Sequence, residues 1–167
     1  AFVQNPRDQR LLPNAKERIG ELKAMGATLV IASNQAGVAA KHKTLESAIA
    51  EMRFCLSLLP EIQYGFLCPD FDGRQCYYLK SSLPKDLIAF PAHSNPEVVG
   101  LIGKFRKPDP GMLLLAEMLH PNTKDGCIMV GDRPEDQAAA IAAGFSFVDA
   151  ETWRSGEVTI CERLKSR

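Results

Sequence analysis

The chain has 167 residues, enough for one domain with a single substantial core. Lys plus Arg number 20 and Asp plus Glu number 20, so the formal net charge is zero. That argues against a broad basic footprint for nucleic acid or for an anionic membrane surface, while leaving room for a local basic patch. No apolar run approaches the roughly 18 residues that a membrane-spanning helix needs.

The 5 cysteines are odd in number and scattered, which fits reduced thiols in a cytosol better than a disulfide framework. No secretory leader pattern is read at the start, and a cytoplasmic location is the expectation. The chain opens at Ala1 without a methionine, so its natural start is expected to lie upstream.

In chain order, Asn14 with Glu17 three residues on predicts a capped helix start, and Ala15, Ile19 and Leu22 carry helical spacing to a stop at Gly26. Thr28–Ala32 is a short β-branched apolar run of the kind that forms a buried parallel strand. It ends at Ser33-Asn34-Gln35-Ala36-Gly37, which reads either as an anion cradle at a strand's carboxyl end or as a plain loop. From Thr44 to Leu59 the pattern is helical, with Leu45, Ile49, Met52 and Leu56 on one face and Pro60 as the stop. Tyr64–Cys68 predicts a strand.

From Pro69 to Lys104, proline, serine, asparagine and histidine interrupt any period. The expectation there is a loop with a short helix near Pro96–Ile102, an irregular substrate-facing insertion at 69–104. Inside it, Asp70-Phe71-Asp72-Gly73 has the look of an acidic motif but reads better as a turn. Pro108 and Pro110 stiffen Phe105-Arg106-Lys107-Pro108-Asp109-Pro110-Gly111, which places Lys107 at the mouth of a helix running to about Leu119.

Ile128–Val130 then stops at Gly131-Asp132, and an alanine-rich helix starts near Pro134 and ends at Gly144. This is a strand, a tight turn and a helix, and Asp132 and Asp136 fall at the strand's carboxyl end. Two carboxylates there suit a hard cation such as Mg2+; they are equally readable as a turn residue and an acid on the helix dipole. Phe145–Asp149 predicts a last strand, and Ala150–Arg167 a charged surface helix or frayed tail. Cys55 and Cys127 sit in apolar patterns and are expected in the core. Cys161 falls in the tail, and His42 and His120 lie in polar settings and are given no role.

Strands alternating with helices predict an α/β fold, a doubly wound, Rossmann-like parallel sheet with helices on both faces. Ser33 with Asn34, then Lys107, then Asp132 with Asp136 fall at or beside strand carboxyl ends, and their chemistry is complementary. A hydroxyl and a lysine suit phosphate oxygens, and two carboxylates suit a cation, the set that phosphoryl transfer needs.

In this order, Ser33 in Ser-Asn-Gln-Ala-Gly-Val, Lys107 in Arg-Lys-Pro-Asp-Pro-Gly-Met, and Gly-Asp-Arg-Pro-Glu-Asp with an Ala-Ala-x-x-Ala-Gly tail resemble motifs two, three and four of the haloacid dehalogenase superfamily of phosphatases. They are most similar to the branch of the heptose-bisphosphate and histidinol-phosphate phosphatases and the phosphatase half of polynucleotide kinase. The resemblance implies a single domain over 1–167 with the insertion standing in for a large cap. It implies that Ser33 binds the transferring phosphate, that Lys107 holds it and neutralises charge, and that Asp132 and Asp136 position Mg2+. Asn34 and Arg106 would contact substrate.

The family's first motif, Asp-x-Asp-x-Thr, carries the nucleophile on the central strand. Nothing in Ala1–Arg10 matches it, so that strand is expected upstream of Ala1. The expected partner is a small phosphorylated substrate for a monomer or small homo-oligomer, with nucleic acid and membrane disfavoured. Two rivals are a nucleic-acid 3′-phosphatase and, should the chain begin at Ala1, a non-catalytic phosphate-binding or scaffold domain. The heptose-bisphosphate branch also implies a zinc loop near Cys68 and Cys76. Two of its soft ligands are replaced here and His93 would supply only a third, so zinc is not expected.

Overall fold

The computed structural model describes residues 5–80, 87–91, 96–121, 126–158 and 160 of the chain. A 3-10 turn at Pro6–Asp8 precedes helix α1 (Ala15–Ala24), strand β1 (Val30–Asn34), α2 (Leu45–Leu58) and β2 (Tyr64–Cys68). Strands β3 (Cys76–Leu79) and β4 (Leu87–Phe90) come next, then α3 (Pro96–Val99) and α4 (Gly111–Leu119). The chain continues through β5 (Ile128–Gly131), α5 (Pro134–Ala143), β6 (Ser146–Asp149) and α6 (Ala150–Ser155).

The α/β core is the expected one. Strands β1 and β2 run parallel, Val30 opposite Tyr64 through Asn34 opposite Cys68. Strands β5 and β6 are likewise parallel, Ile128 opposite Ser146 through Gly131 opposite Asp149. Successive strand residues face opposite sides of a sheet, and the burial follows that period. Phe66, Cys68, Cys76 and Tyr78 face one apolar cluster, which α4 completes with Met112 and Leu115. Leu67 and Leu79 face the other, with Met52 and Leu56 of α2 and Trp153 of α6. Helices therefore cover both faces, and each fully buried leucine or phenylalanine contributes about 2 kcal/mol of hydrophobic stabilisation.

The segment 69–104 departs from the irregular loop expected. After a turn in which Asp70 accepts hydrogen bonds from the Arg74 and Gln75 amides, both at 2.9 Å, the chain forms β3 and β4, which extend the sheet antiparallel in the order β1-β2-β3-β4. Cys-Tyr-Tyr-Leu and Leu-Ile-Ala-Phe are good strand formers, and Pro69 and Pro91 stand beside the strands rather than within them. Asp70 is thus a turn residue.

Three smaller differences follow from tertiary contacts. Asn14 sits at the start of α1 with φ 63° and makes no side-chain cap; its amide donates instead to the Arg154 carbonyl at 3.3 Å. Strand β1 begins two residues later than the apolar run and takes in Ser33 and Asn34, because pairing with β2 extends to Cys68. The first part of the expected tail is docked, with Trp153 and Ile160 in the core; Cys161 and the rest of the tail lie outside the described residues.

Cys68 and Cys76 are fully buried in an apolar cluster, and desolvation pushes the Cys68 thiol up to about 11 and the Cys76 thiol higher still. Among the described residues no three or more His, Cys, Asp or Glu side chains gather as a metal site; His93 lies outside them. Cys55 and Cys127 are half-buried. No helix among the described residues is long and apolar enough to cross a membrane.

His120 is not in a polar setting. Its ring lies 3.8 Å from that of Tyr64, and its Nε2 is 2.9 Å from the Tyr78 hydroxyl. Desolvation, with Lys80 nearby, lowers its pKa below the ordinary histidine value. The unfolded chain then binds the proton more readily than the folded one, so stability falls as pH drops through about 6.5 and is fully present above it. Urea midpoints measured between pH 7.5 and 5 should show this decline, and His120→Gln, which keeps a hydrogen-bonding group but cannot charge, should flatten it. An unchanged slope in that variant would assign the decline to other groups.

Candidate active site

The carboxyl ends of β1 and β5 both contribute to the lining of one cavity of about 430 Å3. The six residues singled out from the sequence, Ser33, Asn34, Arg106, Lys107, Asp132 and Asp136, all line it. Ser33 and Asn34 are the last two residues of β1, and Asp132 directly follows β5.

Lys107 ties two of the lining elements together. Its side chain is 9% exposed, and its Nζ donates to the Ala32 carbonyl at 2.7 Å and pairs with Asp136 Oδ1 at 2.6 Å. The ammonium thus joins β1 to α5, and two of its three donors are used. Its main chain is fixed as well. The Asn34 amide donates to the Lys107 carbonyl at 2.8 Å, and the Lys107 N–H donates to Asn34 Oδ1 at 3.0 Å. Asn34, expected to contact substrate, has both ends of its amide engaged by the Lys107 backbone and still carries a second N–H.

Asp136 is buried, with a side chain 6% exposed. Its Oδ1 is held by Lys107, and its Oδ2 accepts from the Arg133 N–H at 3.3 Å, an arrangement that also caps α5. Gly131 makes this approach possible, since a Cβ there would stand 2.5 Å from Asp136 Cβ and 2.6 Å from Oδ2. Asp132, by contrast, is exposed. The two carboxylates expected to act alike are therefore different in kind: one is anchored to a lysine, the other open to the cavity.

Ser33 Oγ accepts from Gln35 Nε2 at 2.9 Å, which leaves its own O–H to donate. The Arg106 guanidinium lies over the Phe71 ring at 5.7 Å, and its Nη1 is buried without a hydrogen-bond partner among the described residues. An unpaired buried donor is costly, and an acceptor, whether a water or an anion, would relieve it.

Lys43 and Glu51, which nothing in the sequence pattern marked, also line the cavity and pair at 2.6 Å with side chains 16% and 7% exposed. Glu51 lies beside Met52 in α2 and reads in sequence as part of a solvated face; only the fold of the 35–43 loop against α2 shows its burial.

Comparison with known proteins bears on the same residues. Residues 104–152, which hold Lys107, Asp132 and Asp136, match a family described as HAD-hydrolase-like. The chain is 30% identical over 151 residues to the D-glycero-beta-D-manno-heptose-1,7-bisphosphate 7-phosphatase of Vibrio cholerae, a match covering 86% of this chain and 68% of that protein. It is 33% identical over 126 residues to the protein of the same name in Escherichia coli, covering 74% of this chain and 56% of that one.

Two solved structures share the fold. The D,D-heptose 1.7-bisphosphate phosphatase of B. bronchiseptica, complexed with magnesium and phosphate, aligns with a TM-score of 0.62 at 21% identity over 94% of this chain and 77% of that one. A Mesorhizobium loti protein described as a HAD-like phosphatase gives 0.65 at 18% identity, over 99% and 80%. With the motifs in order and the relatives agreeing over most of its length, this chain belongs to the haloacid dehalogenase superfamily of phosphatases, phosphoric monoester hydrolases, in the branch of the heptose-bisphosphate phosphatases.

Proposed function

We propose that the protein is a cytosolic, Mg2+-dependent phosphatase that hydrolyses a small phosphorylated metabolite, a sugar phosphate or similar, through an aspartyl-phosphate. The observation that carries this is the convergence of the donors Ser33, Arg106 and Lys107 and the exposed carboxylate of Asp132 on one cavity. Phosphoryl transfer depends chiefly on positioning and charge neutralisation, and these groups supply both.

Ser33 would donate its hydroxyl to a phosphoryl oxygen. Lys107 would donate its remaining N–H to another and offset the charge that builds on the transferring group. Arg106 Nη1, without a partner among the described residues, would take a further oxygen. The donor set fits a hard cation: Asp132 and Asp136 offer carboxylate oxygens, and Mg2+ is content with one or two carboxylates plus water and phosphate oxygens. Asp132 would hold it directly, and Asp136 would contribute while anchoring Lys107. When bound, the ion would supply electrostatic activation of the phosphate.

The nucleophilic aspartate belongs, on this proposal, to a segment upstream of Ala1. Its support is the sheet itself, which among the described residues is in two parts, β1-β2-β3-β4 and β5-β6, with β1 and β5 each paired on one edge. Lys107 ties β1, through Ala32, to α5, the helix that follows β5, through Asp136. A further parallel strand between β1 and β5 would pair both and bring its carboxyl end to the cavity.

The test is phosphate release by the full-length natural protein from a panel of sugar phosphates, with Mg2+ and with EDTA, and from a 3′-phosphorylated oligonucleotide for comparison. Mg2+-dependent release from the sugar phosphates is expected. Absence of release from all of them, or release from the oligonucleotide alone, would overturn the proposal.

A further inference from the structure

The turn that follows β2 has no part in the phosphate chemistry above, yet it forms a fixed shelf beside Arg106. Asp70 closes it on itself, its carboxylate accepting from the Arg74 and Gln75 amides. The turn is also docked on the segment that leads to Arg106: the Gly73 carbonyl accepts from the Gly103 and Phe105 N–H groups at 2.9 and 3.0 Å. Gly73 has φ +64°, and a Cβ there would stand 2.9 Å from the Arg106 backbone nitrogen, so a glycine is needed for so close an approach.

Phe71 is the side chain this shelf presents. It is 57% exposed and belongs to neither apolar cluster, so burial does not account for its place. Its ring faces the Arg106 guanidinium, with Cζ 5.7 Å from the ring centroid, within the range of a cation–π contact. Among the described residues no hydrogen bond or ion pair holds the Arg106 side chain, and its buried Nη1 is without a partner. Arg106 lines the cavity, whereas Phe71 is not among the lining residues, so the ring can act on a bound anion only through the arginine.

We propose that Phe71 is a positioning residue for anion binding: its ring holds the Arg106 guanidinium in the orientation that receives a phosphoryl oxygen, and the Asp70-Phe71-Asp72-Gly73 turn holds the ring in place. This rests on the assignment of Arg106 to the phosphate in the function proposed above. A long arginine side chain loses rotamer freedom when an anion fixes it, and a ring that orients it beforehand removes part of that cost from binding. A planar guanidinium stacks on an aromatic face, whereas an aliphatic side chain of similar bulk offers contact without the negative face of the ring. Aromaticity, rather than bulk, is therefore the property that matters at position 71.

The experiment measures binding of inorganic phosphate by calorimetry to the full-length natural protein with Mg2+, beside melting curves. Phe71→Leu should raise the phosphate Kd about fivefold, and Phe71→Tyr, which keeps the ring, should hold it within about twofold. Both should leave the melting temperature within about 2 °C, because the side chain is exposed. Arg106→Met should weaken phosphate binding by about tenfold or more, and adding Phe71→Leu to it should change the Kd by less than about twofold, since the ring acts through the arginine.

Should Arg106→Met fail to fold, the comparison of leucine with tyrosine at position 71 decides alone. An unchanged Kd in Phe71→Leu, an equal loss in Phe71→Tyr, or the same fivefold loss in the Arg106→Met background would overturn the positioning role. Failure of the unaltered protein to bind phosphate would instead defeat the phosphate site proposed above.

Discussion

Replacing Lys107 with methionine is expected to lower turnover by about a thousandfold and the melting temperature by roughly 10 °C, two losses with a single origin. The ammonium holds Asp136 at 2.6 Å where both side chains are nearly inaccessible to water. Methionine fills the space and leaves the carboxylate buried without its partner, a defect that costs about 3–5 kcal/mol. It also removes the donor that neutralises the transferring phosphoryl group, and the Ala32 carbonyl loses its hydrogen bond. A second change separates the two effects: Asp136→Asn in the Lys107→Met background removes the stranded charge and should recover most of the melting temperature while turnover stays low. Calorimetric melting and initial rates on both proteins check this. Near-normal turnover in Lys107→Met would remove the lysine from the chemistry.

Asp132→Asn is expected to behave in the opposite way, with stability nearly unchanged and activity lost. Asp132 is exposed at the end of β5, so the substitution breaks no buried contact and should shift stability by about 0.5 kcal/mol or less. A neutral amide is a poor ligand for a hard cation, so the Mg2+ concentration for half-maximal rate should rise at least tenfold, and the rate at saturation should fall by about a hundredfold or more. A magnesium titration of rate, beside a melting curve, reads both quantities. An unshifted magnesium midpoint would mean that the ion is held elsewhere.

The contrast between the two aspartates shows what the sequence can convey. Gly131-Asp132 between an apolar run and an alanine-rich helix marks the end of a strand, because a short buried strand and a helix start have local signatures in the chain itself. The same holds for Tyr64–Cys68, a continuous apolar stretch bounded by Pro60 and Pro69. Nothing local says that Asp136 meets a lysine 29 positions earlier, or that the Asn34 amide closes on the Lys107 backbone. Those pairings exist only once β1 and α5 come together.

Strands β3 and β4 were obscured for a related reason. Prolines and polar residues surround two runs of four residues, and such short runs gain their conformation from pairing with β2 rather than from their own pattern. Lys43 and Glu51 are the extreme case, two charged residues that look solvated in the sequence and become buried through the fold of the 35–43 loop.

The account stands on Ser33, Lys107 and Asp132 serving a single phosphoryl group. The most direct measurement is a crystal structure of the full-length natural protein grown with Mg2+ and tungstate as a phosphate mimic. The oxyanion is predicted to lie between the Ser33 hydroxyl and the Lys107 ammonium, with the magnesium ion against Asp132. An oxyanion bound away from these residues, or an ion without a contact to Asp132, would contradict it.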